Sequence, residues 1–446
     1  MMKKKNTLGF IPLSLRECPI WIILIILFGF AARVLWWAYA EPVPVSDSEE
    51  YLRLAEGLLK QGQLGIPNPS AFRLPGYPVF LAITMWISNS IAWLSFVNVI
   101  LSTFLIYIVW RLVLYLTSEK LLSILAALIC AFNPTFVFLS PVLVSEHLYV
   151  IFLFSAFLVL CDNRVNLSTR RTVRLVLSGV LFGTAALTRG EAIFFLPVLL
   201  VMIYFNFSHN AHRYLSVFLV LLAFGVTIAP WYIRNHYLVG AGSGLSTTGG
   251  INFYYAHNEN RYGWHTLKGT VFDGKNEVQQ QELGYQLGLE YLTNASLLRI
   301  AKDIAKGTYK LFFTSDTYSV AWSTRLPRLE QGTPWPSKEL KGTYWFYKLT
   351  LTYFALFLAA SLSFLFLCRY TFRMWVFLYG IVMMNWIGYA LIFWGKTRYR
   401  YVSEVVFCIL AALLIFEIIK YLLYHSQNLL CYRKLDKRKG SSLLMA

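Results

Sequence analysis

Long apolar segments recur along this chain, and they constrain its fold more than any other feature. Each has the length, roughly 20 residues, that a helix needs to cross a bilayer. Only 14% of the 446 residues are charged and 57% are hydrophobic, whereas soluble domains carry about 25% charged residues. The pattern predicts an all-α polytopic membrane protein with about ten transmembrane helices. The predicted spans are residues 19–40, 91–116, 120–139, 142–161, 173–188, 191–207, 214–232, 346–368, 373–394 and 402–424.

Basic residues set the predicted orientation of these spans. By the positive-inside rule, the N-terminal Lys3–Lys5, the arginine-rich loop at 164–174 and the basic tail at 425–446 lie in the cytoplasm. No small-residue cleavage site follows the first apolar segment, so that segment is expected to be a signal anchor. The sequence therefore predicts a multi-pass protein of the cytoplasmic (inner) membrane with both termini cytoplasmic. The net charge of +18 also indicates contact with anionic lipids.

The short apolar segment Gly76–Ser88 needs a separate argument. The loop charges require an odd number of crossings between Pro75 and Ser118, and the span at 91–116 supplies one. Gly76–Ser88 is therefore predicted to be an interfacial or re-entrant helix on the outer side.

Four regions follow from this topology. The N-terminal transmembrane module, 1–235, contains the first outer loop, 41–75. A large extracytoplasmic loop with amphipathic helices follows at 236–345. The C-terminal helices occupy 346–424, and the cytoplasmic tail is 425–446.

The sequence lacks the motifs of several functional classes. No basic stretch is interleaved with aromatic residues as a nucleic-acid groove would require, and no P-loop, G-x-G-x-x-G, G-x-S-x-G or H-E-x-x-H motif occurs. The six cysteines form no C-x-x-C pair, and the spacing of His257 and His265 is not that of metal ligands. No nucleic-acid partner, cofactor or metal site is predicted, although dependence on a divalent metal stays open.

The stretch Ser46–Tyr51 opens the first outer loop's helix and has two compatible interpretations. Ser46 or Asp47 could be the N-cap of a capping box completed by Glu49 or Glu50. Asp47 could also act as a general base held at the membrane surface.

Cations and one acid mark further candidate positions on the outer face. Arg73 precedes the rigid Pro75-Gly76-Tyr77-Pro78 turn and could bind a lipid phosphate or simply belong to a loop-to-helix junction. Glu146 lies just inside an apolar helix, where a carboxylate is costly unless paired or functional. Arg189 could pair locally with Glu191. Arg234 follows Pro230-Trp231 in what reads as an ordinary aromatic-belt motif.

One basic cluster contradicts the orientation rule. Lys396, Arg398 and Arg400 fall on the outer face, where the positive-inside rule disfavours them. Three cations at the start of a helix there would suit an anionic ligand entering from the outer leaflet.

Taken in order, these motifs resemble the GT-C superfamily of membrane glycosyltransferases, specifically glycosyltransferase family 39. That group includes protein O-mannosyltransferases and the lipid A aminoarabinose transferase. The resemblance covers about residues 20–425 and includes Asn133-Pro134, Ser145-Glu146 and Arg398-Tyr399-Arg400. The family's Asp and Tyr match Asp47 and Tyr51, while Ser48 replaces the Glu that often follows that Asp.

The resemblance implies an enzyme that takes a sugar from a polyprenyl-phosphate donor and transfers it with inversion outside the cytoplasmic membrane. Lipid A or lipopolysaccharide, another glycolipid or glycan, and protein are all possible acceptors. Asp47 is implied to be the general base. The residues expected to bind substrate are Tyr51, Arg73, Tyr77, Glu146, Arg189, Arg398, Tyr399 and Arg400.

Two other classes of function remain open at this stage. A transporter or flippase of lipid-linked sugars would use the same arginines to guide a head group without chemistry. No internal inverted repeat of the kind common in transporters is evident. A non-catalytic assembly factor would leave intramembrane Glu146 without a reason.

Overall fold

The computed structural model describes residues 20–44, 46–65, 68–161, 168–206, 210–259, 271–313, 344–393, 395 and 397–442. Over these ranges the chain is helical and contains no β-sheet, which confirms the predicted all-α class. The helices are α1 Ile20–Ala40, α2 Asp47–Gln61, α3 Gly76–Met85, α4 Ile91–Thr117, α5 Lys120–Phe132, α6 Pro134–Phe138, α7 Glu146–Cys161, α8 Ser168–Thr188, α9 Leu196–Asn206, α10 Asn210–Leu238, α11 Thr248–Ala256, α12 Glu277–Asn294, α13 Leu297–Phe312, α14 Tyr344–Leu362, α15 Phe372–Trp386 and α16 Tyr401–Ser442.

A helix lies at every predicted span, but the described helices differ in length. Five are long and apolar enough to cross a membrane by themselves: Ile20–Ala40, Ile91–Thr117, His212–Leu238, Phe372–Ile392 and Arg398–His425. Shorter apolar helices occupy much of the remaining predicted spans. The chain is thus a multi-pass membrane protein, while the count of about ten crossings stays a prediction.

The predicted continuous span at 120–139 is wrong, because the chain breaks within it. α5 ends at Phe132, Asn133 is extended, and Pro134 begins the short helix α6. A residue before proline is biased away from helical conformation, and proline suits the first turn of a helix. The Asn133 side chain accepts a hydrogen bond from the Thr135 amide (2.8 Å) and so caps α6. The predicted span at 142–161 likewise begins later, at Glu146.

A fully buried arginine stabilises the end of α5. Arg33, on α1, donates to the carbonyl of Ala131 at 2.7 Å and to the hydroxyl of Ser102 at 2.9 Å. The last carbonyl groups of a helix lack partners within it. A cation there also interacts favourably with the helix dipole. Arg33 therefore connects α1 and α4 by hydrogen bonds to the end of α5, where the helix breaks.

The short helix α3 packs closely on the end of α8. A Cβ atom built on Gly76 would lie 2.5 Å from the Thr188 hydroxyl oxygen and 2.9 Å from the Leu187 carbonyl oxygen. Only glycine allows this approach, which brings the Arg73 turn beside Arg189. With 10 residues, α3 rises about 15 Å, half the hydrocarbon thickness. It is too short to cross a bilayer by itself.

Helices α11 and α12 of the large loop cross through paired glycines. A Cβ atom on Gly250 would lie 1.8 Å from the Gln281 carbonyl oxygen, and one on Gly284 would lie 2.4 Å from Gly250. The helices predicted in this loop are present. The buried face of α12 carries Gln281, Gly284 and Gly288, because close contact between backbones demands small residues.

Some predictions fall on residues that the structure does not describe. These include the N-terminal Lys3–Lys5, Arg164, His265, residues 314–343 of the large loop, and Lys396. In the tail, the backbone of α16 continues as a helix to Ser442.

Candidate active site

Asp47 lies at the first turn of α2, where its carboxylate faces other helices. The preceding Ser46 has a φ of 52° and makes no side-chain capping hydrogen bond. The capping-box interpretation is therefore wrong. A carboxylate at a helix N-terminus is stabilised by the positive end of the helix dipole, so α2 orients and stabilises Asp47 without using it as a cap.

Two arginines from distant parts of the chain bind the Asp47 carboxylate. Arg73 donates to Oδ1 at 2.7 Å and Arg398 donates to Oδ2 at 2.5 Å. Arg73 also donates to Oε2 of Glu50 at 2.8 Å. About a fifth of each of these three side chains, Asp47 (20%), Arg73 (23%) and Arg398 (21%), remains exposed, so the cluster is accessible from one side.

This arrangement controls the protonation of Asp47. Burial by itself would raise the pKa of the carboxyl group, but the charges of Arg398 and Arg73 and their hydrogen bonds outweigh it. The pKa of Asp47 is therefore held well below its ordinary value. Asp47 is an ionised acceptor at neutral pH, but a weak base while both guanidinium groups remain bound to it.

A second group of charges adjoins the first. Arg189, at the end of α8, lies 2.8 Å from Oε1 of Glu146 and 2.8 Å from Oε1 of Glu191. The Arg398 Nε atom lies 3.6 Å from the same Glu146 oxygen. The predicted local pair of Arg189 and Glu191 is present, and Glu146 connects Arg189 to the Asp47 cluster.

Aromatic side chains surround these charges. The Tyr51 ring lies 5.4 Å from the Arg73 guanidinium and packs edge-on against Tyr77 at 4.9 Å. Tyr399 lies under both Arg189 (5.5 Å) and Arg398 (5.4 Å). Such contacts favour a cation over the ring face. The rings therefore hold the guanidinium groups in place and restrict water on one side.

A small cavity of about 10 Å³ adjoins the charged cluster. That is room for about one water molecule. Its lining residues are Glu146, Tyr149, Arg189, Phe195, Asn385, Tyr389, Arg398, Tyr399, Tyr401 and Val402.

Arg400 was also expected to bind substrate, but it does not join the Asp47 cluster. It is 3% exposed, and its Nε atom lies 3.5 Å from Oε2 of Glu404. The guanidinium also lies 3.4 Å from the centre of the Tyr353 ring. The 3-10 turn Thr397–Arg400 accounts for this, because side chains two positions apart on such a turn point in different directions.

Sequence reasoning missed the residues that hold the loop before Arg73. Glu277, at the start of α12, accepts hydrogen bonds from the Ala71 amide (3.1 Å) and from the hydroxyls of Ser70 (3.0 Å) and Thr247 (2.9 Å). Arg234 donates to the carbonyls of Ser70 and Leu64, both at 2.8 Å. No motif marks Glu277. Arg234 was one of the residues that carry the family resemblance, but its motif was otherwise interpreted as an aromatic belt and it was given no role.

Among the described residues, no group of three or more His, Cys, Asp and Glu side chains is arranged to hold a metal ion. His257 hydrogen-bonds the Ile392 carbonyl at 3.1 Å.

Comparison with known proteins identifies the fold class. The chain is similar to the oligosaccharyltransferase of Archaeoglobus fulgidus, solved with Zn and sulfate, with a TM-score of 0.53 and 16% sequence identity over 91% of this chain and 50% of that one. ArnT from Cupriavidus metallidurans, solved with undecaprenyl phosphate, matches with a TM-score of 0.44 and 11% identity over 89% of this chain and 77% of that one. No protein-family model and no curated protein matches the sequence.

The chain therefore shares its fold with the archaeal oligosaccharyltransferase, which agrees with the predicted all-α GT-C-like fold. It spans half the length of the archaeal oligosaccharyltransferase.

Proposed function

We propose that this protein transfers a sugar from a polyprenyl-phosphate donor to an acceptor at the outer face of the cytoplasmic membrane. The observation that carries the proposal is the binding of one carboxylate, Asp47, by two guanidinium groups, those of Arg73 and Arg398. Such a transfer requires a base for the acceptor proton and cations for the departing phosphate. The glycosyltransferase fold supports the same class of reaction.

In the proposed reaction, the acceptor oxygen attacks the anomeric carbon of the sugar and the bond from that carbon to the phosphate oxygen breaks. The bonding electrons leave with the polyprenyl phosphate, which gains one negative charge. Asp47 takes the acceptor's proton, and attack from the face opposite the phosphate inverts the anomeric centre. Positive side chains stabilise the charge that develops on the phosphate.

The Asp47 carboxylate and the donor phosphate compete for the same guanidinium groups. Three arginines of the cluster, Arg73, Arg189 and Arg398, already face four carboxylates. A donor phosphate that binds Arg73 and Arg398 has to replace Asp47 as their partner. Release of Asp47 would return its pKa toward the ordinary value and make it a stronger base. Donor binding would thus activate the base.

The test is substitution of Asp47 by Asn, which keeps the side-chain shape and removes the base. Transfer should fall by about 100-fold or more, measured by mass spectrometry of envelope lipids, glycans and proteins from cells that express each variant. Glu56→Gln is the matched control, because Glu56 lies on the same helix and is 53% exposed. Near-normal transfer by a well-expressed Asp47→Asn protein would exclude the proposed base. If the native protein forms no glycan product and Asp47→Asn instead loses transport of the lipid-linked donor, a flippase would be favoured.

A further inference from the structure

Three residues that line the small cavity beside Glu146 each carry a buried polar atom with no hydrogen-bond partner in the described part of the chain. These atoms are the Tyr149 hydroxyl oxygen, Oδ1 of Asn385 and Nε of Arg398. Tyr149 is 3% exposed and Asn385 is 1% exposed. Because an unpaired buried polar atom is costly, and buried polar atoms in folded proteins are nearly always hydrogen-bonded, three around one cavity indicate a bound molecule.

The chemistry of each atom decides whether it gives or receives a hydrogen bond. The Asn385 amide nitrogen donates to the Tyr399 carbonyl at 3.1 Å, so the remaining Oδ1 atom is an acceptor. The Arg398 Nε atom carries one hydrogen and can only donate. The Tyr149 hydroxyl can donate as well.

Glu146 supplies a second acceptor. Its Oε1 atom lies 3.6 Å from the Arg398 Nε atom, which is too long for a direct hydrogen bond. A polar separation of this length is often bridged by water. The same oxygen also lies 2.8 Å from Arg189, but a carboxylate oxygen can accept more than one hydrogen bond.

Two donors and two acceptors around one cavity match a water molecule, which accepts two hydrogen bonds and donates two. The cavity volume of about 10 Å³ has room for about one water and for nothing larger. A metal cation there would meet the guanidinium groups of Arg189 and Arg398. An anion would meet the Glu146 carboxylate and the Asn385 oxygen.

We propose that this cavity holds one bound water molecule that orients Arg398. The water accepts hydrogen bonds from the Arg398 Nε atom and the Tyr149 hydroxyl, and it donates to Oδ1 of Asn385 and Oε1 of Glu146. It fixes the Nε side of the guanidinium while the Nη2 atom binds Asp47. Tyr149 and Asn385 are therefore positioning residues for Arg398. This holds for the protein without donor and does not depend on the proposed transfer reaction.

The first test is an experimental structure of the full chain in lipid nanodiscs, at a resolution that shows ordered water. Density for one water should lie within hydrogen-bond distance of at least three of the four atoms. Absence of that density in the native protein would overturn the proposal. A direct hydrogen bond from Arg398 Nε to Glu146 Oε1 would overturn it too, because the bridge would then be unnecessary.

The second test measures the Arg398 Nε hydrogen itself by NMR of the full chain labelled with ¹⁵N-arginine in lipid. Its signal is assigned by its loss in Arg398→Lys. Tyr149→Phe keeps the ring and removes one partner of the water, so exchange of this hydrogen with D₂O should become about fivefold faster, as for one weakened hydrogen bond.

Tyr353→Phe is the matched control. Tyr353 is also 3% exposed and its hydroxyl likewise has no partner in the described part of the chain, but it lines a different cavity, beside Glu404. This variant should leave the exchange of the Arg398 hydrogen unchanged. Equal exchange in Tyr149→Phe and the native protein, or equal acceleration in both tyrosine variants, would overturn the positioning role of Tyr149.

Discussion

At the scale of single residues, Asp47 is the centre of the candidate site. Its two arginine partners lie 26 and 351 positions away in the chain. Each guanidinium has a further acidic partner, Glu50 for Arg73 and Glu146 for Arg398. The arginines are therefore fixed in place before any donor arrives, which reduces the entropy lost when a phosphate binds.

Arginine geometry gives the first prediction at this scale. Arg73→Ala or Arg398→Ala should weaken binding of a polyprenyl phosphate by about tenfold or more, because a charge-assisted hydrogen bond is lost. Lysine should restore binding only in part, since it lacks the planar fork that binds two phosphate oxygens. Calorimetric titration of detergent-solubilised protein checks this. Arg53→Ala, an exposed position on α2, is the control. Unchanged affinity in both alanine variants would place the phosphate elsewhere.

The depressed pKa of Asp47 gives a prediction for pH dependence. A group whose pKa is lowered by folding stabilises the protein above its unfolded pKa, about 3.9 for Asp, and this stabilisation is lost as the pH falls through the folded pKa. The difference in thermal stability between the native protein and Asp47→Asn should therefore be constant from about pH 8 to 5 and shrink only below about pH 4. Melting curves followed by tryptophan fluorescence measure it. A difference that disappears between pH 7 and 5 would contradict a lowered pKa.

At the scale of elements, the start of α12 positions the loop that carries Arg73. Three donors from two loops converge on the Glu277 carboxylate, and the Thr247 amide donates to the Ala71 carbonyl at 3.1 Å. The loop that precedes Arg73 and the segment from Thr247 to Glu277 are thus one hydrogen-bonded unit. A shift of α12 would move Arg73 relative to Asp47.

Removal of this carboxylate should loosen the loop. Glu277→Ala leaves the Ala71 amide and two hydroxyls without their acceptor, at a cost of about 1–3 kcal/mol. Amide hydrogen exchange over residues 68–74 should become about tenfold faster or more. Glu290→Ala, an exposed position further along α12, should leave this exchange unchanged. Equal protection in both variants would mean that other contacts, such as those of Arg234, hold the loop alone.

At the scale of the whole molecule, the fold collects charged side chains from five separate segments at one end of the helix bundle. Asp47 begins α2, Arg73 precedes α3, Glu146 begins α7, Arg189 follows α8, and Arg398 precedes α16. The predicted topology requires these positions to share one face of the membrane, and the structure brings them together. The side of the membrane on which they lie is a prediction from loop charge.

Single cysteines in a cysteine-free background test that topology. Cysteines at Glu56 and Leu289 should react with an impermeant thiol reagent in intact cells, or in spheroplasts if an outer membrane intervenes. Cysteines at Asn166 and Asp436 should react only after lysis. Leu289 is 56% exposed. Burial in the protein would therefore not explain a failure to label a cysteine at this position in spheroplasts. Labelling at position 166 from outside would overturn the topology and the proposed reaction with it.

The sequence by itself determined the membrane class, the helical architecture and the position of most charged motifs. These follow from apolar segment length and from the cost of burying charge, which act locally along the chain. The same local reasoning located Asp47, Arg73, Glu146, Arg189 and Arg398.

Only the tertiary structure decided which of these side chains meet. Arg398 reaches Asp47 while Arg400, two residues on, pairs with Glu404, because the direction of a side chain on a short turn depends on what packs around it. Arg33 and Glu277 were invisible to sequence reasoning for the same reason. Each binds groups far away in the chain, and no local pattern records contacts that exist only after folding.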